Sequence, residues 1–240
     1  MDGLNIFTPY EIRARIFPSI IVLLPIIVLF FSIIPFSDTI EKILLGLGIF
    51  IVIIYAFTYQ VRVSGVNFQK KNWKINGGPP STIIMRWDDT TFSKELKSQF
   101  YAAITKKYSV IIPTENEQRI NPNHFDRIIN DVFIRVRSDL HKSDSDNLWS
   151  RHNAEYGFVR NLLGSRWIWL FFSILGTSGC VILYYLEASN FKLLGLFINL
   201  ILSLISIVAG WHSLPKMFDY VGYEYAKSAW GEFLSHSDTN

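Results

Sequence analysis

The residues with chemistry to offer are few and scattered. In 240 residues there are five histidines (His124, His141, His152, His212 and His236) and one cysteine, Cys180. No histidine sits in an H-E-x-x-H array, and a single cysteine allows neither an intrachain disulfide nor zinc spacing. There is no G-x-S-x-G, no Walker A loop and no dinucleotide fingerprint. Gly176-Thr-Ser-Gly179 lies in an uncharged run, where it cannot cradle a phosphate in water. Asp88 and Asp89 are adjacent, and Glu115 and Glu117 flank a turn; such carboxylates read as caps or solvated charges. An Asp88/Asp89/His124 metal site has no supporting spacing. No catalytic residue, metal ligand or cofactor is therefore assigned, and the chain reads as a non-enzyme.

Two clusters are better suited to recognition. The first is Arg86-Trp87, beside Asp88-Asp89 and just after a Gly/Pro strip; a cation next to an aromatic ring suits a base or a phosphate. The second is Asn153, Tyr156, Arg160 and Asn161. The first three share a helical face at i, i+3, i+7, with Asn161 beside them, which puts an amide, a ring and a guanidinium on one stripe. Either cluster could hold an anionic ligand, a nucleotide or a short single-stranded nucleic acid. The bland alternatives are ion pairing, as of Arg160 with Glu155, and positive charge set only by topology.

A third constellation is weakly polar. Ser173, Thr177 and Cys180 recur at i, i+4, i+7, and Ser203, Ser206 and Gly210 at i, i+3, i+7. Small faces let helices approach closely in lipid. These six residues pack helices within one chain or line a narrow pore between chains, which can gate by dewetting.

The elements that must position these residues are dominated by apolar runs. Half of the residues are hydrophobic and only 18% are charged. Four stretches, about Ile16–Phe36, Ile43–Val61, Trp167–Leu186 and Phe191–Leu214, carry no Asp, Glu, Lys or Arg in their interiors. About 20 helical residues cross a hydrocarbon layer of about 30 Å. A mid-span charge would cost about 2.5–3.5 kcal/mol. The reading is an α-helical integral membrane protein with four transmembrane helices. Short connections, Ser37–Lys42 and Glu187–Asn190, make them two hairpins. The N-terminal run lacks a cleavage site and reads as a retained helix, not a signal peptide. Seventeen of the 23 basic residues fall from Arg62 to Arg166; only Lys42 and Lys192 lie in or beside the short loops. The positive-inside rule then places both termini and the middle of the chain in the cytoplasm, in an inner (plasma) membrane. Trp167, Trp169, Tyr184, Tyr185 and Trp211 fit interfacial belts, and Pro25 and Pro35 interrupt the first run.

Four regions follow: 1–61 with the first hairpin, 62–165 as a cytoplasmic module, 166–214 with the second hairpin, and 215–240 as an amphipathic tail. The module holds 16 basic and 11 acidic residues and reads as helix-rich α+β. Short strands are expected at Ser81–Trp87 and Ser109–Ile112, a helix from Ser93 to Lys107, and another from the Asn121 cap and Pro122 to His141. Asp144-Ser145-Asp146 caps a third helix from Asn147. With no breaker but glycine, that helix runs on to Leu186 as one rod of about 60 Å. The tail, with Phe218, Val221, Tyr225 and Trp230, lies on the bilayer or packs as a plain helix.

This layout resembles small four-span membrane effectors of bacterial anti-phage defence. The segment Tyr156-Gly-Phe-Val-Arg-Asn161, running into Gly164, is similar to a juxtamembrane motif of the Hailong-type effectors, which are paired with a nucleotidyltransferase. The resemblance implies a homo-oligomeric pore or ion channel, controlled by a nucleotide or oligonucleotide, that disrupts membrane potential. It also implies a nucleotidyltransferase partner. The competing expectation is a non-conducting scaffold or sensor that recruits a cytoplasmic partner.

Overall fold

In the computed structural model, which describes residues 8–33, 40–142 and 148–237, every regular element is a helix. Pro35, the first half of the Ser37–Lys42 connection and the Asp144-Ser145-Asp146 cap lie outside the described residues. Four helices are long and apolar enough to cross a membrane. The first, α1 (Pro9–Ile33), opens on a capping box between Thr8 and Glu11, passes through a π-turn at Ile12–Ile16, and contains Pro25. Helix α2 (Ile40–Ile75) has 36 residues, about 54 Å of helix. It stops where Gly77 and Gly78 take φ of 78° and 138°, a conformation only glycine adopts freely, ahead of two prolines.

Five helices follow: α3 (Pro80–Ile83), α4 (Lys94–Tyr108), α5 (Glu115–Ile120), α6 (Pro122–Leu140) and α7 (Leu148–Gly164). The remaining two apolar helices are α8 (Arg166–Leu186) and α9 (Asn190–Ser237), the latter with a π-turn at Ala209–Ser213. The chain divides into two compact units. One comprises Met1–Gln69 with Ala154–Phe218, the other Lys70–Asn153 with Asp219–Asn240.

In the apolar unit, α8 and α9 run antiparallel, since Ser173 and Thr177 meet Ser203 while Cys180 meets Asn199. Helix α1 is seated against both of them. Self-contained hairpins do not describe this packing: α1, α8 and α9 form one cluster. The outward residues stay apolar and exposed, among them Ile51, Val52, Phe171, Phe197, Ile201 and Leu204.

The charged unit is built around α4, α6 and the end of α9. Ser93 caps α4 through the Leu96 amide, and Asn121 caps α6 through that of His124, with Pro122 at the first helical position. The buried stripe of α6 is Phe125, Ile129, Val132, Phe133, Val136 and Leu140. Against it lie Phe100, Tyr101 and Ile104 from α4, and Trp230 and Phe233 from α9. The tail's Val221, Tyr225 and Trp230 are thus core residues of this unit, not a free amphipathic surface.

The expected α+β character is absent; no strand occurs among the described residues. At 81–87, Pro79 in extended geometry starts the short helix α3, and turns continue to Asp88. At 109–112, Ser109 takes a left-handed conformation (φ 55°) and closes α4 as its C-cap, which breaks the extension a strand needs. Glu115 and Glu117 open α5, where Glu117 completes a capping box with Thr114. The single rod into α8 is absent too. Ser165 interrupts it, between a helix ending at Gly164 and one starting at Arg166.

Candidate functional site

The six residues expected to bind a ligand fall into the two units. In the charged unit, Arg86 donates from Nε and Nη2 to both oxygens of Asp126, at 2.9 and 2.6 Å, and from Nη2 to the carbonyl of Gly77 at 2.5 Å. The hydrogen bond to Asp126 is the main reason its pKa is raised further. Trp87 donates from its indole to the Pro113 carbonyl at 3.0 Å and from its backbone to Gln118 at 2.7 Å, with its ring edge-on to Tyr101. Arg86 and Trp87 therefore pin the glycine strip, α5 and α6 to one another. Beneath them Lys97 is fully buried, its ammonium donating to the carbonyls of Arg86 and Asp89, and burial lowers its pKa. Tyr101 donates to the Met85 carbonyl, and burial raises the pKa of its phenol.

In the apolar unit, Asn161 is fully buried and donates from Nδ2 to the carbonyl of Ala14 at 2.6 Å, tying α7 to α1. Arg160 lies flat beside it, donating to Asn161 Oδ1 and to Gln69 Oε1, each at 3.1 Å. Tyr156 is buried with its ring 5.4 Å from that of Phe218. Asn153, half-buried, belongs to the charged unit. Gly65 and Gly164 make this crossing of α2 and α7 close: a Cβ on Gly164 would lie 2.6 Å from the Ser64 carbonyl oxygen. Arg160 thus differs from Arg86. Among the described residues its side-chain partners are amide oxygens and not a carboxylate.

The six pore-or-packing residues lie along the inner face of α8 and α9. Thr177 Oγ1 and Ser203 Oγ are 2.9 Å apart, Ser203 donates to the Ser173 carbonyl at 3.2 Å, and Ser206 donates to the Ser203 carbonyl at 2.8 Å. Cys180 Sγ accepts from Asn199 Nδ2 at 3.2 Å and lies 3.9 Å from Ser32 Oγ. Gly210 sits at the other end, where an added Cβ would lie 3.3 Å from the Cβ of Arg166. Ser173 Oγ and Asn199 Oδ1 are buried without a hydrogen-bond partner. The Asn199 oxygen faces Gly176, where only Cα–H is offered. The seam is closed, and its side chains meet within one chain.

No family model, curated protein or solved structure matches the chain.

No group of three or more His, Cys, Asp or Glu side chains among the described residues could hold a metal ion. A groove of about 380 Å³ in the charged unit, lined by Leu148, His152, Glu224, Lys227, Gly231 and Glu232 among others, includes none of the six ligand candidates. Three contributors escaped the sequence reading. Asn199 is the one carboxamide inside the fourth apolar run, and its cost in lipid signals a partner. Lys97 falls on the same helical stripe as Phe100, Tyr101 and Ile104, the mark of a buried charge with a structural task. Ser32, near the end of α1, gave no such signal: serine is common in apolar helices.

Proposed function

We propose that the chain is a multi-pass inner-membrane protein with both termini and the charged unit in the cytoplasm. We further propose that it acts as a homo-oligomeric effector whose membrane helices rearrange when an anionic nucleotide or oligonucleotide binds. The observation that carries this reading is that α2 and α9 are continuous helices contributing residues to both units. In this reading a change of state in the charged unit reaches the apolar unit along these two helices. Inward-turned polar side chains and outward apolar ones support bilayer embedding. Because the Thr177–Ser203 seam is closed within one chain, ion passage in this reading occurs between protomers. Arg160, held by two amides, is the residue an anion would capture. The ligand shifts the balance only by preferring one arrangement.

The test is proteoliposome ion flux together with membrane potential in cells, using short single-stranded DNA and nucleoside triphosphates as probes. Wild type is expected to conduct in a probe-dependent manner and Arg160→Ala to lose that dependence. If oligomers of both behave alike and neither conducts under any condition, the channel reading fails.

A second reading is a non-conducting scaffold that recruits a cytoplasmic partner. The engagement of Arg86 by Asp126 and of Trp87 by Pro113 and Gln118 favours it, since those side chains are occupied in structure. It predicts a partner in pull-downs and an unchanged membrane potential.

A further inference from the structure

Arg166, the first residue of α8, is held differently from the arginines that pair with carboxylates. Arg15 lies 2.9 Å from Glu11, Arg86 2.6 Å from Asp126, and Arg119 2.7 Å from Glu115. The guanidinium of Arg166 makes no hydrogen bond or ion pair with another described residue. Its guanidinium carbon lies 5.5 Å from the ring centroid of Trp211 and 5.9 Å from that of Phe68. Gly210 allows the approach, since the residue beside Trp211 presents no side chain to the Arg166 stem. Trp167 packs edge-on against Trp211 with centroids 5.0 Å apart, and Trp167 is 63% exposed.

A guanidinium flanked by rings has its orientation set while its N–H edge stays unspent. That edge offers in-plane donors in the fork that matches two oxygens of a phosphate. One turn apart in α9, Lys216 Nζ donates to His212 Nε2 at 3.3 Å, and its remaining N–H groups add donors at the same end of the helix. In the bilayer reading proposed above, on which this inference rests, Arg166 and Trp167 stand where the third uncharged run begins and Trp211 near where the fourth ends. That is the level of lipid headgroups.

We infer that Arg166, framed by Phe68 and Trp211 with Trp167 beside the latter, is a binding site for the phosphodiester of an anionic phospholipid. The tryptophans cover the glycerol and upper acyl region, and the guanidinium takes the phosphate oxygens. The preference for an anionic over a zwitterionic lipid comes from net charge, because the phosphate of a choline lipid is already accompanied by its own cation.

The experiment is native mass spectrometry of the full chain in neutral detergent, titrated with phosphatidylglycerol or phosphatidylcholine. Wild type is expected to retain phosphatidylglycerol preferentially, and Arg166→Gln to lose about five-fold in that preference, as one basic residue at a membrane surface contributes. Arg166→Lys keeps the charge but loses the stacked fork, and is expected to fall between them. Equal retention of both lipids by wild type, or an unchanged preference in Arg166→Gln, overturns the inference. So does displacement of phosphatidylglycerol by equimolar inorganic phosphate, which would make the ligand a soluble anion. All three proteins are also washed with alkaline carbonate after insertion into phosphatidylcholine vesicles. Loss of wild type from those vesicles would count against the membrane reading itself, separately from the lipid site.

Discussion

Gly164→Ala tests the close crossing of α2 and α7. The added methyl would lie 2.6 Å from both the Ser64 carbonyl oxygen and Gly65 Cα, and 2.7 Å from Gly65 N. All three are backbone atoms, so no side chain can swing aside. Ordinary carbon contacts need about 3.5 Å, so the helices must part by roughly 0.9 Å. Overpacking of this kind costs about 1–3 kcal/mol. The same movement strains the 2.6 Å Asn161–Ala14 hydrogen bond in the same cluster, worth about 1 kcal/mol. Against this, Ala gains at most about 1 kcal/mol of helix propensity over Gly. The sterics win, leaving a net loss of about 1–3 kcal/mol. The assay is thermal unfolding in detergent followed by tryptophan fluorescence, with an expected fall of roughly 3–10 °C. Gly231→Ala is the internal control. It lies inside α9 with nothing within 4 Å of the new Cβ, so the identical substitution should stabilise by about 0.5–1 kcal/mol. If Gly164→Ala melts at or above wild type, the tight crossing is wrong.

Asn161→Leu removes the donor to Ala14 and should cost about 1–3 kcal/mol; melting like wild type would deny Asn161 its tie between α1 and α7. Trp230→Ala empties the centre of the charged unit, where the ring is fully buried and its indole donates to Ser81. A loss of about 3–5 kcal/mol is expected, read as faster limited proteolysis between α3 and α6. The alkaline limb is set partly by Tyr101. Its folded pKa lies above the unfolded value of 10.0, so its contribution is intact below that pH and is lost as pH rises further. Tyr101→Phe should flatten the fall in stability above that pH. Lys97, lowered by burial, has the opposite sign there: its penalty is relieved as pH climbs toward its unfolded value of 10.5. Lys97→Met should therefore steepen the same limb.

What could be read from the sequence was what is written locally. Ser93, Asn121 and Pro122 announce helix starts because the cap and the amides it serves lie within three residues of each other. The four apolar runs were legible because an uncharged stretch of that length has few other uses. Their helical ends were not: α2 continues past Val61 to Ile75, since hydropathy marks where lipid would stop, not where hydrogen bonding stops. Ser81–Trp87 looks extended in composition, but a strand needs a partner, and two prolines with a left-handed pair of glycines start a helix instead. The fate of the ligand candidates was unreadable because each partner is remote. Asp126 is 40 positions from Arg86 and Gln69 is 91 from Arg160. The small-residue stripe could be seen, but not that it closes on itself within one chain.

The placement of Trp230 has a consequence for biogenesis. The residues it covers, from Ser81 through Phe133, are synthesised long before α9 emerges. Until α9 has been made through Phe233, their core stands open and its aromatic side chains are wet. Completion of the charged unit therefore waits on α9, whose later residues supply Trp230 and Phe233 to that core. A chain that stopped short of Trp230 would present an unfinished aromatic core to quality-control proteases.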